Sequence, residues 1–143
     1  MAEFLTGDDP PIVGVPTADA EMNAAIAHAR DTLPTFWASC DAPKPTETGH
    51  ALKVRFDVGA EVEHIWLIDV KKLSDGNYSG RFANEPSDLL GKHIGDQAKF
   101  KQSDISDWMF MRNKVVGGET IKALLKSMPK EEADAVRARM EQP

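Results

Sequence analysis

The chain has 143 residues, of which 41% are apolar and 28% charged, with 23 acids against 17 Lys and Arg for a net charge of −6, and one cysteine. That is enough mass for one domain with its own core and too little for two of ordinary size, and it lies far from the low-hydrophobicity, high-charge composition of disordered chains. Cys40 alone leaves no internal disulfide and no cysteine-based zinc ribbon, which suits a reducing compartment.

The opening Met1 to Asp9 is acidic and has no basic segment followed by an apolar one, so no secretory leader is expected. The densest apolar window, Ile65 to Val70, is broken by Asp69 and is too short to span a membrane. The chain therefore reads as cytoplasmic. Residues 1–48 hold eight acids and two bases, whereas the remainder is balanced, so the net charge is N-terminal. No basic stripe interleaved with aromatics is present, so nucleic acid lacks its electrostatic term. A protein partner with a basic surface is the better expectation, beside the plainer reading that the acids keep the chain soluble.

In chain order, residues 1–16 carry three prolines and two glycines without periodicity, and residues 1–17 are expected to form a flexible arm ahead of a single domain over 18–143. Met22, Ile26, Ala29, Leu33 and Phe36 then recur at helical spacing, which predicts a helix over about 18–32 with Thr17 at its N-cap. Pro34 should end or kink it, leaving a short turn with Phe36 and Trp37, then a linker over 41–49. Leu52, Val54, Phe56 and Val58 alternate with Lys53, Arg55 and Asp57, the pattern of a half-buried strand. After Gly59-Ala60, residues 62–70 are apolar on both alternating sets, which predicts a strand covered on both faces and a largely buried Trp66, with Trp66→Ala behaving as a core truncation.

Further strands are expected near 78–83, 97–101 and 108–111, with a possible sixth at Val115-Val116. Gly117-Gly118 leads into a helix carrying Ile121, Leu124 and Leu125, and Pro129 with Glu131 and Glu132 opens a last helix to about 140 whose stripe is narrow. The order implies an α+β fold: an N-terminal helix, a curved antiparallel sheet or small barrel of about five strands, and C-terminal helices.

The strings Glu63-His64-Ile65-Trp66-Leu67, Asn84-Glu85-Pro86, Gly95-Asp96, Ile105-Ser106-Asp107-Trp108-Met109 and Gly117-Gly118-Glu119-Thr120-Ile121 resemble, in this order, the YegJ-like bacterial family of unknown function. The resemblance runs from about Glu21 to Met128. It implies a bacterial origin and one compact α+β domain, and it supplies no catalytic residues.

Three constellations could carry chemistry. If Gly59-Ala60 is a two-residue loop, Arg55 lies opposite His64 and Lys53 opposite Trp66, so one face gathers two cations, an imidazole and an indole. Such a face suits an anionic group or an acidic loop of a partner; equally, a helix can roof it, with the lysine stem lying over the indole. Gly117, Gly118 and Thr120 start a helix whose free N–H groups suit an anion, although Glu119 competes and the P-loop lysine is missing, so tight turn packing explains them too. Asp104 and Asp107, three apart before Trp108, read either as a hard-cation or acid–base pair or as turn-shaping side chains. The histidines at 28, 50, 64 and 93 show no ligand spacing, and no Gly-x-Ser-x-Gly elbow is present, so neither metal nor cofactor is expected.

The sequence thus favours a non-enzymatic, protein-binding domain of the immunity or adaptor kind, with Lys53, Arg55, His64, Trp66, Asp104, Asp107, Trp108, Gly117, Gly118 and Thr120 as candidate contacts. The alternative is a small-ligand or hydrolytic cleft near His64, Trp66, Asp104, Asp107 and Gly117-Gly118. Convergence of these motifs on one cleft would favour the second.

Overall fold

The computed structural model describes residues 17–86 and 91–141, so the expected arm lies outside it apart from Thr17. Helices α1 (Thr17–Asp31) and α2 (Leu33–Asp41) come first. Strands β1 (Thr48–Val58), β2 (Glu61–Lys72), β3 (Tyr78–Phe82) and β4 (Gln97–Phe100) follow. A 3-10 turn (Gln102–Asp104) leads to β5 (Ile105–Arg112) and β6 (Lys114–Gly117), then α3 (Glu119–Leu124), a second 3-10 turn and α4 (Lys130–Ala138). The strands form one open antiparallel sheet in the order β4-β3-β2-β1-β5-β6. The fold is α+β, with six strands where about five were expected.

Pro34 does more than end α1. It occupies the first turn of α2, where its missing N–H costs nothing, so the expected short turn is a nine-residue helix that buries Leu33 and Phe36. The hairpin forms as the two-residue loop requires: Val58 pairs with Glu61, Arg55 with His64 and Lys53 with Trp66. Gly59 takes a φ of 63° at that turn.

One face of the sheet carries the core. Leu52, Val54, Ile65, Leu67, Phe82, Phe100, Trp108 and Phe110 are buried there against Ala29, Leu33 and Phe36 of the two N-terminal helices. Trp108 anchors the helix junction. Its indole N–H donates to the Ala29 carbonyl and to Thr32 Oγ1, both at 3.1 Å, meeting a carbonyl that the end of α1 leaves without an intrahelical donor. Phe36 meets Trp108 and Trp37 with ring centroids 6.2 and 5.1 Å apart.

The other face of β2 is not covered as expected. Val62 is 47% and Ile68 40% exposed, and Trp66 between them is only half-buried, so Trp66 is not a core residue. Two apolar alternating sets do not require two covers, because the helices pack chiefly on β5 and on one another. At the far end, α4 docks more firmly than its narrow stripe suggests. Met140 is buried, and backbone bonds tie Val115 to Arg139 and to Glu141 across a short parallel bridge.

Candidate functional site

The site is built around a bulge. Lys53 of β1 pairs with Asp107 of β5 while its neighbour Val54 pairs with Ile105, so Ser106 is an extra residue in β5. A bulge of this kind re-aims side chains, and here Ser106 and Asp107 both come to the Lys53 side. Ser106 Oγ donates to the Lys53 carbonyl at 3.3 Å and stands 3.1 Å from His64 Nδ1. With that proton on the carbonyl, the tautomer that fits is the one whose Nδ1 donates to Ser106. A nucleophilic serine needs the opposite polarity, with the imidazole accepting.

Asp107 is fully buried and takes four hydrogen bonds: from the backbone N–H groups of Trp108 (2.8 Å), Glu119 (3.2 Å) and Thr120 (2.9 Å), and from Thr120 Oγ1 (2.6 Å). Burial pushes its carboxyl above the usual range, against those four donors. With donors aimed at both oxygens, the ionised form is the one that fits. Thr120 Oγ1 in turn accepts from Lys53 Nζ at 3.2 Å, giving a relay from ammonium to hydroxyl to carboxylate. Asp107 therefore fills the N–H groups at the start of α3 that an external anion would use.

The glycines before α3 permit this closure. Gly117 has a φ of 86°, and a Cβ there would stand 2.6 Å from the Trp108 carbonyl oxygen and 2.7 Å from its indole ring. Gly118, with a φ of 68°, donates its N–H to that same carbonyl at 2.8 Å. Both residues are buried and bring Thr120 under Asp107.

In front of Lys53 opens a cleft of about 560 Å³. Of the candidates, Lys53, Arg55, His64, Asp104 and Thr120 line it. The α1 residues Met22, Ile26 and Arg30, together with Val62 and Ser106, complete the wall and were not expected from the sequence. The α1 stripe signalled only Met22 and Ile26 among them, and it does not say which residue the sheet leaves uncovered. Asp107 lies behind the wall, Trp66 stands outside it with its ring centroid 5.9 Å from Lys53 Nζ, and Trp108 belongs to the core on the opposite face. Asp104 and Asp107 do not form a pair: Asp104 accepts from the Lys101 N–H at 3.0 Å and shapes the 3-10 turn. Among the described residues, no three His, Cys, Asp or Glu side chains gather as a metal cage, and no helix is long and apolar enough to cross a membrane.

The charge of the cleft opposes that of the chain. Arg30, Lys53 and Arg55 line it with one acid, Asp104, and Asp57 pairs with Arg55 at the rim, in a protein of net charge −6. Burial lowers the Lys53 pKa, with Asp107 partly restoring it. His64 is also held below its ordinary value, by burial first and then by the charges of Lys53 and Arg55.

A second polar cluster escaped the sequence reading. Ser39 Oγ donates to Glu47 Oε1 at 2.8 Å and lies 2.7 Å from His50 Nε2, while Arg112 ties Glu47 (3.4 Å) to Glu141 (2.7 Å). Glu47 is an acceptor whose pKa is lowered by hydrogen bonds from the Lys44 N–H and Ser39, so Ser39 spends its proton there and His50 must donate from Nε2. The Ser–His contact has the wrong polarity for a nucleophile–base pair and instead locks α2, β1 and β5 to the C-terminal segment.

Residues 19–140 match the family described as an uncharacterized protein conserved in bacteria, DUF2314. The chain belongs to that family. It is 39% identical over 120 residues to the uncharacterized protein YegJ of Escherichia coli K12, covering 83% of this chain and 76% of that one. It is 34% identical over 134 residues to a putative ankyrin repeat protein of Neisseria meningitidis serogroup B, covering 87% of this chain and 52% of that protein, about half its length. No solved structure matches. Three of the five strings that carried the family resemblance meet here: His64 on Ser106, Asp107 on Thr120, and Gly118 on Trp108.

Proposed function

We propose that this domain is a non-enzymatic protein-binding module of the adaptor or immunity kind, engaging its partner through the open face of the sheet and the adjoining cleft. The observation that carries this reading is the composition of that face. Val62, Trp66 and Ile68 present apolar surface beside Lys53, Arg55 and His64, the mixture of aromatic, aliphatic and arginine groups that protein interfaces favour. Ser39, whose proton goes to the Glu47 carboxylate, is not poised as a nucleophile against His50, which fits binding rather than hydrolysis. A relative named a putative ankyrin repeat protein fits too, since stacked repeats present extended binding surfaces. The partner once expected to be basic is better matched, at this face, by an acidic surface.

The test is site-specific photo-crosslinking in bacterial cells. A benzophenone side chain at Val62 or Ile68 should capture one discrete protein, and the same group at Glu131 or Glu132, exposed on α4 and off the sheet, should not. Capture with equal yield from all four positions, or from the last two alone, would move the interface elsewhere.

A further inference from the structure

We propose that the cleft holds a side-chain carboxylate of the partner, an Asp or Glu of an acidic segment, between Lys53 and Arg55. This rests on the binding-module reading and adds the chemistry of recognition. An ammonium offers three donors, and Lys53 spends one on Thr120 Oγ1. Its nearest counter-charge, Asp107, is reached only through that hydroxyl and already holds four other donors. Lys53 is thus partly desolvated, held by the relay beneath it, and has two donors unspent among the described residues while it lines the cleft. Arg55 engages Asp57 only through Nε, at 3.2 Å, which leaves its terminal guanidinium nitrogens available at the rim. Arg30 spends one donor on the Ser103 carbonyl at 3.2 Å and, among the described residues, pairs with no carboxylate. Asp104, the acid of the wall, is turned back to the Lys101 N–H.

Three cations poised around a space with unspent donors, in a molecule whose total charge is negative, form a local site rather than a general anion attraction. The apolar Val62, Met22 and Ile26 beside them suit the methylene stem of an acidic side chain and its neighbours. A free oxyanion would leave these unmatched. That contrast selects a protein side chain over inorganic phosphate.

The experiment is calorimetric titration of the full chain at low salt with a capped hexaglutamate peptide, with hexaglutamine and inorganic phosphate as parallel probes. Hexaglutamate is expected to bind saturably, at least tenfold more tightly than either other probe. Lys53→Gln with Arg55→Gln should weaken it by at least tenfold, and Lys99→Gln should leave it unchanged. Arg55→Gln alone, at an exposed rim position, keeps the test valid if the double variant folds poorly, and should weaken binding severalfold. Equal binding of hexaglutamine, phosphate binding as tightly as the peptide, or full affinity in the Arg55 and double variants would each overturn the proposal. If the Val62 crosslink persists in the double variant, the interface reading survives and the carboxylate assignment falls.

Discussion

Leu52 and Lys53 are neighbours on β1, and each faces a tryptophan from an adjacent strand: Trp108 opposite Leu52 and Trp66 opposite Lys53. Successive residues of a strand point to opposite sides, so one step along the chain separates two environments. Trp108 is 4% exposed, stacks near Phe36 and Phe110, and has its N–H bonded twice. Trp66 is half-buried beside a lysine, between two exposed aliphatic side chains. The same residue type is a structural anchor on one face and an interface element on the other, and the location of the helices makes the difference.

The sharpest way to break that comparison is truncation of the two indoles. Trp108→Ala should cost about 3 to 5 kcal/mol, as large core truncations do, and the variant's urea midpoint should fall accordingly. Asp107→Ala comes next, at about 2 to 3 kcal/mol, because it strands buried donors of α3 and removes the base of the Lys53 relay. An Asp107→Ala protein as stable as the parent would mean that the relay is not a structural element. Trp66→Ala should cost only about 1 kcal/mol while reducing the Val62 crosslink. A loss as large as that of Trp108→Ala would put Trp66 back in the core.

A smaller effect separates the two histidines. Both His50 and His64 are held below their ordinary pKa, His50 by burial and His64 by burial and its two cationic neighbours. The unfolded chain therefore takes up these protons first, so stability is fully present above about pH 6.5 and declines as pH falls through the lowered folded-state values. Thermal melts between pH 7.5 and 5.5 should show this decline, and His64→Gln should reduce it without abolishing it. A melt that rises on acidification would reverse the assigned direction. The smallest effect is expected at Lys53→Met. Replacing a half-buried cation by an apolar side chain of similar length should change stability by less than about 1 kcal/mol, because the desolvation it relieves offsets the hydrogen bond it loses. A loss of several kcal/mol there would make Lys53 a structural partner of Asp107 rather than a ligand-facing group.

The local periodicities settled much of this protein from sequence alone. The α1 stripe marks its helix, while the period-two strand at Leu52 to Val58 and the Gly59-Ala60 turn fix the hairpin register, and the register alone puts Lys53, Arg55, His64 and Trp66 on one face. Those are short-range facts, set by side-chain alternation and turn geometry. The site itself was only partly legible. Nothing near position 53 announces the bulge at Ser106, the closure of α3 onto Asp107, or Arg30 and Ile26 arriving from a helix far away in sequence. The double-sided apolar pattern of β2 predicted cover on both faces and was wrong for one of them, because hydrophobicity records a preference for burial and not the presence of a cover. The tertiary structure decided that by packing α1 and α2 against Trp108, which leaves Trp66 only half-buried on the other face and makes α1 itself one wall of the cationic cleft.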